Sequence, residues 1–236
     1  MEYEKDFLMK HLPESEWENA FERLDLGEPV QYIIGNVDFY GYILEVNRHV
    51  LIPRFETEEL ISKAIIHLSD FTIPRIADIG TGSGCIGITL KKEILCEVEV
   101  VDISPKALEL AKRNAESNKA DIKFLIGSFL EPLAGKYDCI ISNPPYLSYG
   151  DDIMEIVARN EPAIALYAPE DGLAAYDAIL KNCKNHLKDK FLIAFEIGAD
   201  QGSDLLEKVK RYLPTSRAWI EQDMQGRDRF LFIREN

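Results

Sequence analysis

The sequence predicts an α/β fold in which a mostly parallel β-sheet is flanked by helices. From about residue 72 onward, short apolar runs alternate with amphipathic helical patterns, which is typical of parallel strands joined by right-handed helical crossovers. The polar motifs of this part follow the ends of the apolar runs, and open α/β sheets bind ligands at the carboxyl ends of their strands. With 236 residues and 46% hydrophobic content, the chain can bury one core of ordinary size and a small appendage.

The N-terminal residues, the apolar runs and the cysteines indicate the cellular compartment and whether a disulfide or a metal site is expected. The first six residues are too charged for a secretory signal, and no apolar run approaches the roughly 18 residues that a membrane span needs. We therefore expect a cytoplasmic protein without membrane attachment. The four cysteines are scattered without a Cys-x-x-Cys pair, so we expect neither a disulfide nor a metal site.

The net charge of −14, from 27 basic and 41 acidic residues, argues against nucleic acid as a partner. Proteins that bind the duplex backbone take most of their affinity from neutralised phosphates, so an acidic chain would need a concentrated basic patch. We find no such run. Four lysines are interpreted as the solvated face of one helix: Lys181, Lys184, Lys188 and Lys190.

Residues 1–26 are predicted to form a short N-terminal helical appendage. Ser15 and Glu18 make a capping-box pattern, which predicts that a helix opens there. Its apolar positions repeat at helical spacing: Trp17, Ala20, Phe21 and Leu24. The sequence Gly27-Glu28-Pro29 then ends the helix.

Residues 27–71 are predicted to form a β-hairpin and a linker helix. Two apolar-rich runs flank Gly41, as expected of hairpin strands: residues 37–39 and 42–46. A helix follows from about Glu56 to Leu68, because its apolar positions lie on one face. Arg54 precedes the acidic first turn of this helix and is interpreted as a surface charge.

Residues 72–236 are predicted to form the main domain, which begins with a cofactor-binding pattern. The strand at residues 75–79 runs into the turn Asp78-Ile79-Gly80-Thr81-Gly82-Ser83-Gly84, and a helical pattern follows from Cys85. Glycines let the backbone approach a ligand, and a helix N-terminus adds N–H groups and a positive dipole. Asp102 ends the next strand, where a carboxylate can accept from both hydroxyls of a ribose. Together these features predict a nucleoside-bearing cofactor rather than a structural turn.

The spacing of the glycines favours S-adenosylmethionine over a dinucleotide. The pattern Gly-x-Gly-x-Gly differs from the Gly-x-Gly-x-x-Gly that packs a helix against a pyrophosphate, and Asp78 adds negative charge nearby. A carboxylate at this place suits the cationic amino-acid end of S-adenosylmethionine, either by direct contact or by orienting the amides of the turn.

The remaining elements complete the alternation of strands and helices. Ser104 and Pro105 predict a helix start, with serine as the N-cap and proline at the first helical position. Further strands are predicted at residues 122–126, 138–142, 191–195, 218–220 and 229–233. Further helices are predicted at residues 151–159, 172–187 and 201–212, the last of which ends before Pro214.

The strand at residues 138–142 ends in Asn143-Pro144-Pro145-Tyr146, which is the strongest candidate for chemistry. Each proline fixes its own φ and pushes the preceding residue towards extended geometry, so Asn143 and Pro144 present their carbonyls in set directions. Two acceptors therefore sit beside the aromatic face of Tyr146. A proline-rich turn that contains asparagine by chance is the alternative interpretation.

These motifs resemble a known family over about residue 24 to the end of the chain. The glycine turn, Asp102 and Asn143-Pro144-Pro145-Tyr146 resemble the class I methyltransferases that act on a planar nitrogen. Further matches narrow the resemblance to the bacterial release-factor glutamine methyltransferases, the HemK-like proteins: residues 27–33, Leu51-Ile52-Pro53-Arg54, Thr57-Glu58, Glu161-Pro162, Ala165-Leu166, Asp171-Gly172-Leu173, Glu196-Ile197-Gly198 and Gln201-Gly202.

The resemblance implies a Rossmann-like sheet of seven strands and methylation of the glutamine in the Gly-Gly-Gln motif of peptide-chain release factors. It implies that S-adenosylmethionine contacts residues along the strand ends: Asp78, Gly80, Thr81, Gly82, Ser83, Gly84, Asp102, Ile103, Ser128, Phe129 and Asn143. The substrate is expected to contact Asn143, Pro144, Pro145 and Tyr146, of which Asn143, Pro144 and Tyr146 carry the chemistry. We expect the protein to be a monomer.

The chain departs from the family pattern in two places. About 26 residues precede Gly27, whereas the family usually carries several N-terminal helices that help to dock the release factor, so we expect weaker docking. Ser128 stands where the family commonly has an acidic residue that can accept from the adenine amino group. Serine keeps an acceptor and loses the charge.

Two alternatives to the release-factor enzyme stay open at this point. Enzymes that methylate the exocyclic amine of adenine share the Asn143 to Tyr146 motif, although a nucleic-acid methyltransferase would need a target-recognition domain or a basic surface. A non-catalytic binding module would use the cofactor only as a structural ligand.

None of the four histidines lies in a motif, so none is expected to act as a general base.

Overall fold

The fold is that of a computed structural model, which describes residues 2–151 and 153–235. The helices are α1 Glu2–His11, α2 Trp17–Asp25, α3 Val30–Ile34, α4 Phe55–His67, α5 Cys85–Glu93, α6 Pro105–Ser117, α7 Glu155–Asn160, α8 Ala163–Leu166, α9 Ala174–Asn182 and α10 Gly202–Tyr212. The strands are β1 Asn36–Phe39, β2 Tyr42–Glu45, β3 Arg75–Ile79, β4 Glu97–Asp102, β5 Lys123–Ile126, β6 Tyr137–Ser142, β7 Leu187–Glu196, β8 Ser216–Gln222 and β9 Asp228–Glu235.

A seven-stranded sheet in the order β5-β4-β3-β6-β7-β9-β8 forms the centre of the fold. The strands from β5 to β7 in this order pair in parallel, whereas β9 runs antiparallel to both of its neighbours, β7 and β8. β1 and β2 form a separate two-stranded hairpin. The predicted α/β fold with seven mostly parallel strands is therefore confirmed.

Both faces of the large sheet are buried, which explains why its central strands are almost continuously apolar. In β3, Ile76 belongs to a core layer that includes side chains of α4 and α5, whereas Ala77 belongs to a second layer with α9 and α10. Successive residues of a strand point to opposite faces, so one strand contributes to both layers. Asp78 is the exception in this strand, because it has an ionisable carboxyl group and is fully buried.

Two helices, α1 and α2, lie before Gly27, and a third, α3, begins after Pro29. The three helices share a small buried cluster: Leu8, Ala20, Leu24 and Ile33. The predicted capping box is wrong, because a 3₁₀ turn occupies Glu14–Glu16 and α2 begins at Trp17 without a side-chain cap from any described residue. The indole N–H of Trp17 instead donates to the Leu12 carbonyl at 3.1 Å, so packing against the preceding turn sets the helix start.

The predicted hairpin is confirmed, and its turn lies at Tyr40 and Gly41. Both turn residues have positive φ, 54° and 79°, a geometry that matches the twist of the flanking strands. Asn114 of α6 holds the hairpin, since its Oδ1 accepts from the Glu45 amide at 2.6 Å and its Nδ2 donates to the Glu45 carbonyl at 2.9 Å. The same Nδ2 donates to the Ser83 carbonyl at 2.9 Å, which couples the hairpin to the glycine turn.

The helix predicted at residues 172–187 is shorter in the structure. α9 ends before a 3₁₀ turn, and β7 begins at Leu187. The interpretation of four lysines as one helix face is therefore wrong, because Lys188 and Lys190 lie on the exposed first part of β7. Their ammonium groups pair at 2.6 and 3.0 Å with Asp138 and Asp70, respectively. Charge spacing alone could not reveal that the chain changes from helix to strand here.

The helix predicted at residues 151–159 is also shorter, and position 152 lies outside the described residues. α7 begins only at Glu155, because the Asp151 carboxylate accepts from the Ser148 amide at 2.8 Å and forms a turn. Within the two described ranges, no helix is long and apolar enough to cross a membrane. The same ranges contain no group of three or more His, Cys, Asp or Glu side chains that could hold a metal ion.

Candidate active site

The glycine turn and the Asn143 motif lie next to each other at the carboxyl edge of the sheet. They follow β3 and β6, which are adjacent parallel strands in which Ile79 pairs with Ser142. The Ser142 hydroxyl donates to the Ile79 carbonyl at 2.6 Å and joins the two strand ends. The strand order reverses between β3 and β6, and such switch points leave a crevice for a ligand.

A cavity of about 360 Å³ opens at this crevice, which is a typical size for a small-molecule site. It is lined by ten of the predicted site residues: Gly80, Thr81, Gly82, Ser83, Asp102, Ile103, Ser128, Phe129, Asn143 and Pro145. Further lining comes from two segments outside the predicted site, residues 49–53 and 162–169. The other predicted residues lie next to this lining in the sequence without forming part of it: Asp78, Gly84, Pro144 and Tyr146.

The glycine turn uses most of its amides within the protein. φ is positive at Gly80, Gly82 and Gly84, at 71°, 56° and 86°, so a side chain at these positions would be strained. The amides of Gly80 and Thr81 donate to the Val101 carbonyl at 2.8 and 3.0 Å, and the Gly84 amide donates to the Thr81 carbonyl at 2.9 Å. Because a pyrophosphate is bound through free N–H groups, this turn suits it poorly.

Asp78 supports the turn from a fully buried position at the end of β3. Its Oδ2 accepts from the Thr81 hydroxyl at 2.6 Å and from the Gly87 amide at 3.1 Å, and its Oδ1 accepts no hydrogen bond from any described residue. Burial raises the pKa of Asp78 to about 7, although the bonds from Thr81 and Gly87 act in the opposite direction. Of the two roles predicted for Asp78, this placement favours orienting the turn over direct contact.

Asp102 holds the turn from β4 and also faces the cavity. Its Oδ2 accepts from the Gly82 amide at 2.9 Å, and its Oδ1 accepts from the Ser104 amide at 2.8 Å. Burial raises the pKa of this carboxyl despite these bonds. Ser104 caps α6 as predicted, because its hydroxyl accepts from the Ala107 amide at 3.2 Å. A carboxylate has about four acceptor positions, so Asp102 can still accept from a ligand.

An apolar part of the cavity adjoins Asp102. Ile103 and Phe129 both line it, and Ile103 is 55% exposed because it borders this open space. Ser128, the residue before Phe129, also lines the cavity. Two apolar side chains beside one hydroxyl suit a flat heterocycle that carries a polar substituent.

Asn143 belongs to a hydrogen-bonded chain that the sequence analysis did not identify. Its Nδ2 donates to the Thr57 hydroxyl oxygen at 3.0 Å, and the Thr57 hydroxyl donates to Glu196 Oε2 at 2.7 Å. Thr57 and Glu196 are each only 2% exposed. Burial raises the pKa of Glu196 to about 7, although the bond from Thr57 and the charge of Arg229 act in the opposite direction.

The Tyr146 end of the motif is held by its backbone. Gln201 Nε2 donates to the Tyr146 carbonyl at 2.9 Å, while Gln201 Oε1 accepts from the Gly198 amide at 3.0 Å. Gly172 has a φ of 79°, and a β-carbon at this position would overlap the Tyr146 carbonyl. The Tyr146 ring packs against the core layer that contains α9 residues, and Pro144 is buried.

Glu161 joins the two further segments that line the cavity. Its buried carboxylate pairs with the Arg54 guanidinium through Oε1 and accepts from the Ile52 amide at 3.1 Å through Oε2. The interpretation of Arg54 as a surface charge is therefore wrong, because it pairs with a carboxylate that is only 5% exposed. This pairing holds the segment at residues 49–53 against the start of the segment at residues 162–169.

Four side chains that hold the site lie outside the predicted set: Thr57, Glu161, Glu196 and Gln201. All four belong to motifs that carry the family resemblance, so the resemblance was the signal that could have identified them. Their roles depend on distant partners, since Thr57 and Glu196 are 139 positions apart. Neither periodicity nor charge spacing can indicate a pair at that separation.

The chain is similar in sequence to known methyltransferases. The family described as Methyltransferase small domain matches residues 60–161. The release factor glutamine methyltransferase of Streptococcus pneumoniae (strain ATCC BAA-255 / R6) is 39% identical over 220 residues, which cover 92% of this chain and 78% of that protein. The protein of the same name from Bacillus subtilis (strain 168) is 41% identical over 213 residues, which cover 86% of this chain and 74% of that protein.

Solved methyltransferases share the fold. The T. thermophilus 16S rRNA N2 G1207 methyltransferase, solved in complex with AdoMet and guanosine, matches with a TM-score of 0.61 over 85% of this chain and 50% of that chain. The ribosomal protein L11 methylase of Lactobacillus delbrueckii subsp. bulgaricus matches with a TM-score of 0.57 over 78% of this chain and 81% of that chain. At 14% and 22% identity, these similarities establish the fold and not the substrate.

Proposed function

Because this chain belongs to the release factor glutamine methyltransferase family, we propose that it transfers a methyl group from S-adenosylmethionine to peptide-chain release factors. The acceptor is the side-chain amide nitrogen, N5, of the glutamine in the Gly-Gly-Gln motif. One observation carries the proposal: Asn143 lines the same cavity as the glycine turn and Asp102. A cofactor bound along the turn and an amide bound by Asn143 would therefore share one space.

The cavity residues suit S-adenosylmethionine. Asp102 offers acceptors to the ribose hydroxyls, and Ile103 and Phe129 border the space that we assign to adenine. The turn, with most of its amides already donating and the buried Asp78 carboxyl beside it, suits the cationic amino-acid end better than an anion. When bound, this cofactor supplies an electrophilic methyl group on a sulfonium centre.

Asn143 and Pro144 are assigned to orienting the substrate amide. A primary amide nitrogen is a poor nucleophile, because its lone pair is delocalised into the carbonyl. If Asn143 Oδ1 and the Pro144 carbonyl each accept one N–H of the glutamine, the nitrogen lone pair turns towards the methyl group. Orientation of this kind can supply several kcal/mol, and up to about 7–11 kcal/mol in the best intramolecular models.

Tyr146 is assigned to packing against the amide plane, where its ring face favours nearby positive charge. Burial raises the pKa of the Tyr146 hydroxyl, so the ring stays neutral. The substrate nitrogen loses its proton after it has become cationic, and this order of steps requires no strong base. His49 lines the cavity outside any motif, and the proposed chemistry assigns it no proton transfer.

We expect the release factor to contact residues 27–58 and the segment after Tyr146. The exposed large apolar side chains in these parts are Ile43, Phe55, Tyr149, Met154, Ile156 and Ile164. Tyr149 stacks on Tyr167 with ring centroids 5.3 Å apart, and Tyr167 lines the cavity, so the exposed Tyr149 ring adjoins the site. Exposed apolar side chains beside a cavity are a feature that protein-binding regions share.

The nucleic-acid alternative has less support than the protein substrate. The relatives that are 39% and 41% identical are named for release factors, whereas the RNA-methylating protein above shares only the fold. The net charge of −14 disfavours phosphate backbones. The monomeric state, the cytoplasmic compartment and the division into residues 1–26, 27–71 and 72–236 stay predictions from the sequence.

Methyl transfer between purified components tests the proposed function. Release factor, its variant with alanine in place of the Gly-Gly-Gln glutamine, and duplex and single-stranded DNA are each incubated with the protein and labelled S-adenosylmethionine. We expect label on the release factor and none on the alanine variant. Label on DNA without label on the release factor would overturn the proposal and favour the nucleic-acid alternative.

A further inference from the structure

The orientation of the Asn143 side chain decides whether the motif can bind an amide substrate. An asparagine amide has two ends of similar shape, of which only the oxygen accepts hydrogen bonds. If the Asn143 amide turned over, its NH₂ group would face the N–H groups of the substrate glutamine, and no hydrogen bond would form. The adjacent prolines restrict the backbone and leave this side-chain torsion free. Another group must therefore determine which end faces the substrate.

Thr57 contacts the Asn143 amide but cannot select its orientation alone. A hydroxyl both donates and accepts, so Thr57 could pair with either end of the amide. Glu196 removes this ambiguity when it is ionised, because a carboxylate only accepts. The Thr57 proton must then point to Glu196 Oε2, at 2.7 Å, and the Thr57 oxygen is left to accept from Asn143 Nδ2, at 3.0 Å. Asn143 Oδ1 is thereby directed away from Thr57.

The three side chains come from three elements that meet at one edge of the sheet. Asn143 directly follows β6 and Glu196 ends β7, and these strands pair in parallel with Ser142 opposite Phe195. Thr57 lies in the first turn of α4 and bridges the two. Because Thr57 and Glu196 are each only 2% exposed, little solvent reaches their hydrogen bonds. A buried polar network with its bonds made specifies one arrangement of its members.

The cost of a buried carboxylate argues against a packing role for Glu196. Burial disfavours its ionised form, the charges of Arg229 and Arg54 favour it, and the charge of Glu56 disfavours it. The Tyr176 hydroxyl donates to the Glu196 backbone carbonyl at 2.7 Å and so holds the backbone at this point. An apolar side chain could fill the same volume without the desolvation cost.

We infer that Thr57 and Glu196 are positioning residues that hold the Asn143 amide with its oxygen towards the substrate glutamine. Glu196 acts through Thr57, and Thr57 acts through Asn143. This inference rests on the proposed function, because it concerns how the same site presents its acceptor to an amide. It adds two residues from distant parts of the chain to the residues that determine turnover.

Removal of the Thr57 hydroxyl without loss of volume tests the inference. In release-factor methylation, Thr57→Val is expected to lower kcat at least about tenfold, which corresponds to about 1.4 kcal/mol in the barrier, while KM for the release factor and the Kd of S-adenosylmethionine change less than about threefold. Thr57→Ser restores the hydroxyl and is expected to recover most of the lost kcat. The matched control is Thr89→Val, since Thr89 is fully buried in α5, does not line the cavity and makes no side-chain hydrogen bond with a described residue.

A double-mutant cycle with Asn143 separates positioning from packing. If Thr57 acts through Asn143, Thr57→Val lowers the single-turnover rate much less in the Asn143→Ala background than in the wild-type background. Independent effects of equal size in both backgrounds would overturn the inference. Glu196→Gln provides a second measurement in case Thr57→Val does not fold, because glutamine can donate as well as accept and no longer fixes the direction of the Thr57 proton.

The contrary outcomes separate this inference from the proposed function. Equal loss of kcat in Thr57→Val and Thr57→Ser, or a wild-type kcat in folded Thr57→Val or Glu196→Gln, would overturn the inference alone. If the wild-type protein transferred no methyl group from S-adenosylmethionine to any release factor, the proposed function and the inference would both be overturned. A fall of kcat in Thr89→Val as large as that in Thr57→Val would show a general packing effect and would also overturn the inference.

Discussion

The backbone of Gly172 abuts the carbonyl of Tyr146 so closely that a β-carbon on Gly172 would overlap the carbonyl oxygen. The same carbonyl accepts from Gln201 Nε2 at 2.9 Å. The end of the Asn143 to Tyr146 motif is therefore set by two residues from later segments. These two contacts hold the Tyr146 carbonyl in place.

Gly172→Ala is expected to lower kcat at least tenfold and to reduce stability by about 1–3 kcal/mol, since the new β-carbon displaces the motif and the φ of 79° is strained for alanine. Steady-state kinetics and thermal unfolding measure the two effects. Gly226→Ala is the matched control, because Gly226 has a similar φ of 78° and a β-carbon there meets nothing within 4 Å. Equal behaviour of the two variants would show that the contact with Tyr146 is unimportant.

Asp102→Ala is expected to weaken S-adenosylmethionine binding at least tenfold. The carboxylate is assigned to the ribose through charge-assisted bonds worth about 1.5–3 kcal/mol, and it also holds the Gly82 amide at 2.9 Å. Calorimetry of the folded variant measures the affinity, with Asp200→Ala as an exposed control outside the cavity. An unchanged affinity in Asp102→Ala would remove this carboxylate from the cofactor site.

Asn143→Ala is expected to lower kcat by orders of magnitude and to change cofactor affinity much less. The reason is that Asn143 is assigned to orienting the substrate amide, an interaction that matters most in the transition state. Single-turnover methylation of release factor measures the rate, and calorimetry measures the affinity. Near-normal turnover in this variant would show that the assignment of Asn143 is wrong.

Ser128→Asp is expected to tighten S-adenosylmethionine binding by up to about 1.5 kcal/mol, because a carboxylate accepts from the adenine amino group more strongly than a hydroxyl does. Ser128 lines the cavity beside Phe129, which places it in the part assigned to adenine. The affinity is measured by calorimetry, and Ser128→Asn serves as an uncharged control. Weaker binding in Ser128→Asp would mean that adenine lies elsewhere.

Asp78 is expected to make stability depend on pH below neutrality. Burial raises the pKa of the Asp78 carboxyl to about 7 in the folded protein, well above the ordinary value of an aspartate. The folded state therefore keeps a proton that the unfolded state releases near pH 4. The stabilisation from this proton is complete below the unfolded pKa and is lost as the pH rises to about 7, on the order of a few kcal/mol.

Asp78→Asn isolates this dependence, because asparagine keeps an acceptor for Thr81 and cannot titrate. As the pH rises from 4 to about 7, the Tm of the wild-type protein is expected to fall relative to the Tm of Asp78→Asn. Thermal unfolding of both proteins in a pH series measures this change. A difference that stays constant over this range would show that Asp78 is ionised throughout.

The sequence predicted correctly those elements whose structure depends on residues only a few positions apart. The hairpin around Gly41, the serine cap at Ser104 and the strand and helix alternation depend on neighbours a few positions apart, so the sequence could predict them. The capping box at Ser15 failed because packing of Trp17 against Leu12 shifted the helix start. The end of α9 was predicted too late, because the lysines continue at helical spacing up to Lys188, which already lies in β7.

The sequence by itself determined the chemistry at the strand ends: the glycine turn, Asp102 and the Asn143 to Tyr146 motif are contiguous or nearly contiguous stretches whose residue types limit what they can bind. Only the tertiary structure decided how these stretches are held. The Thr57 to Glu196 bond and the contact between Gly172 and Tyr146 join residues that are far apart in the chain. Hydrogen bonds and excluded volume act over a few ångströms, and the distances between such residues exist only once the sheet has brought the ends of its strands together.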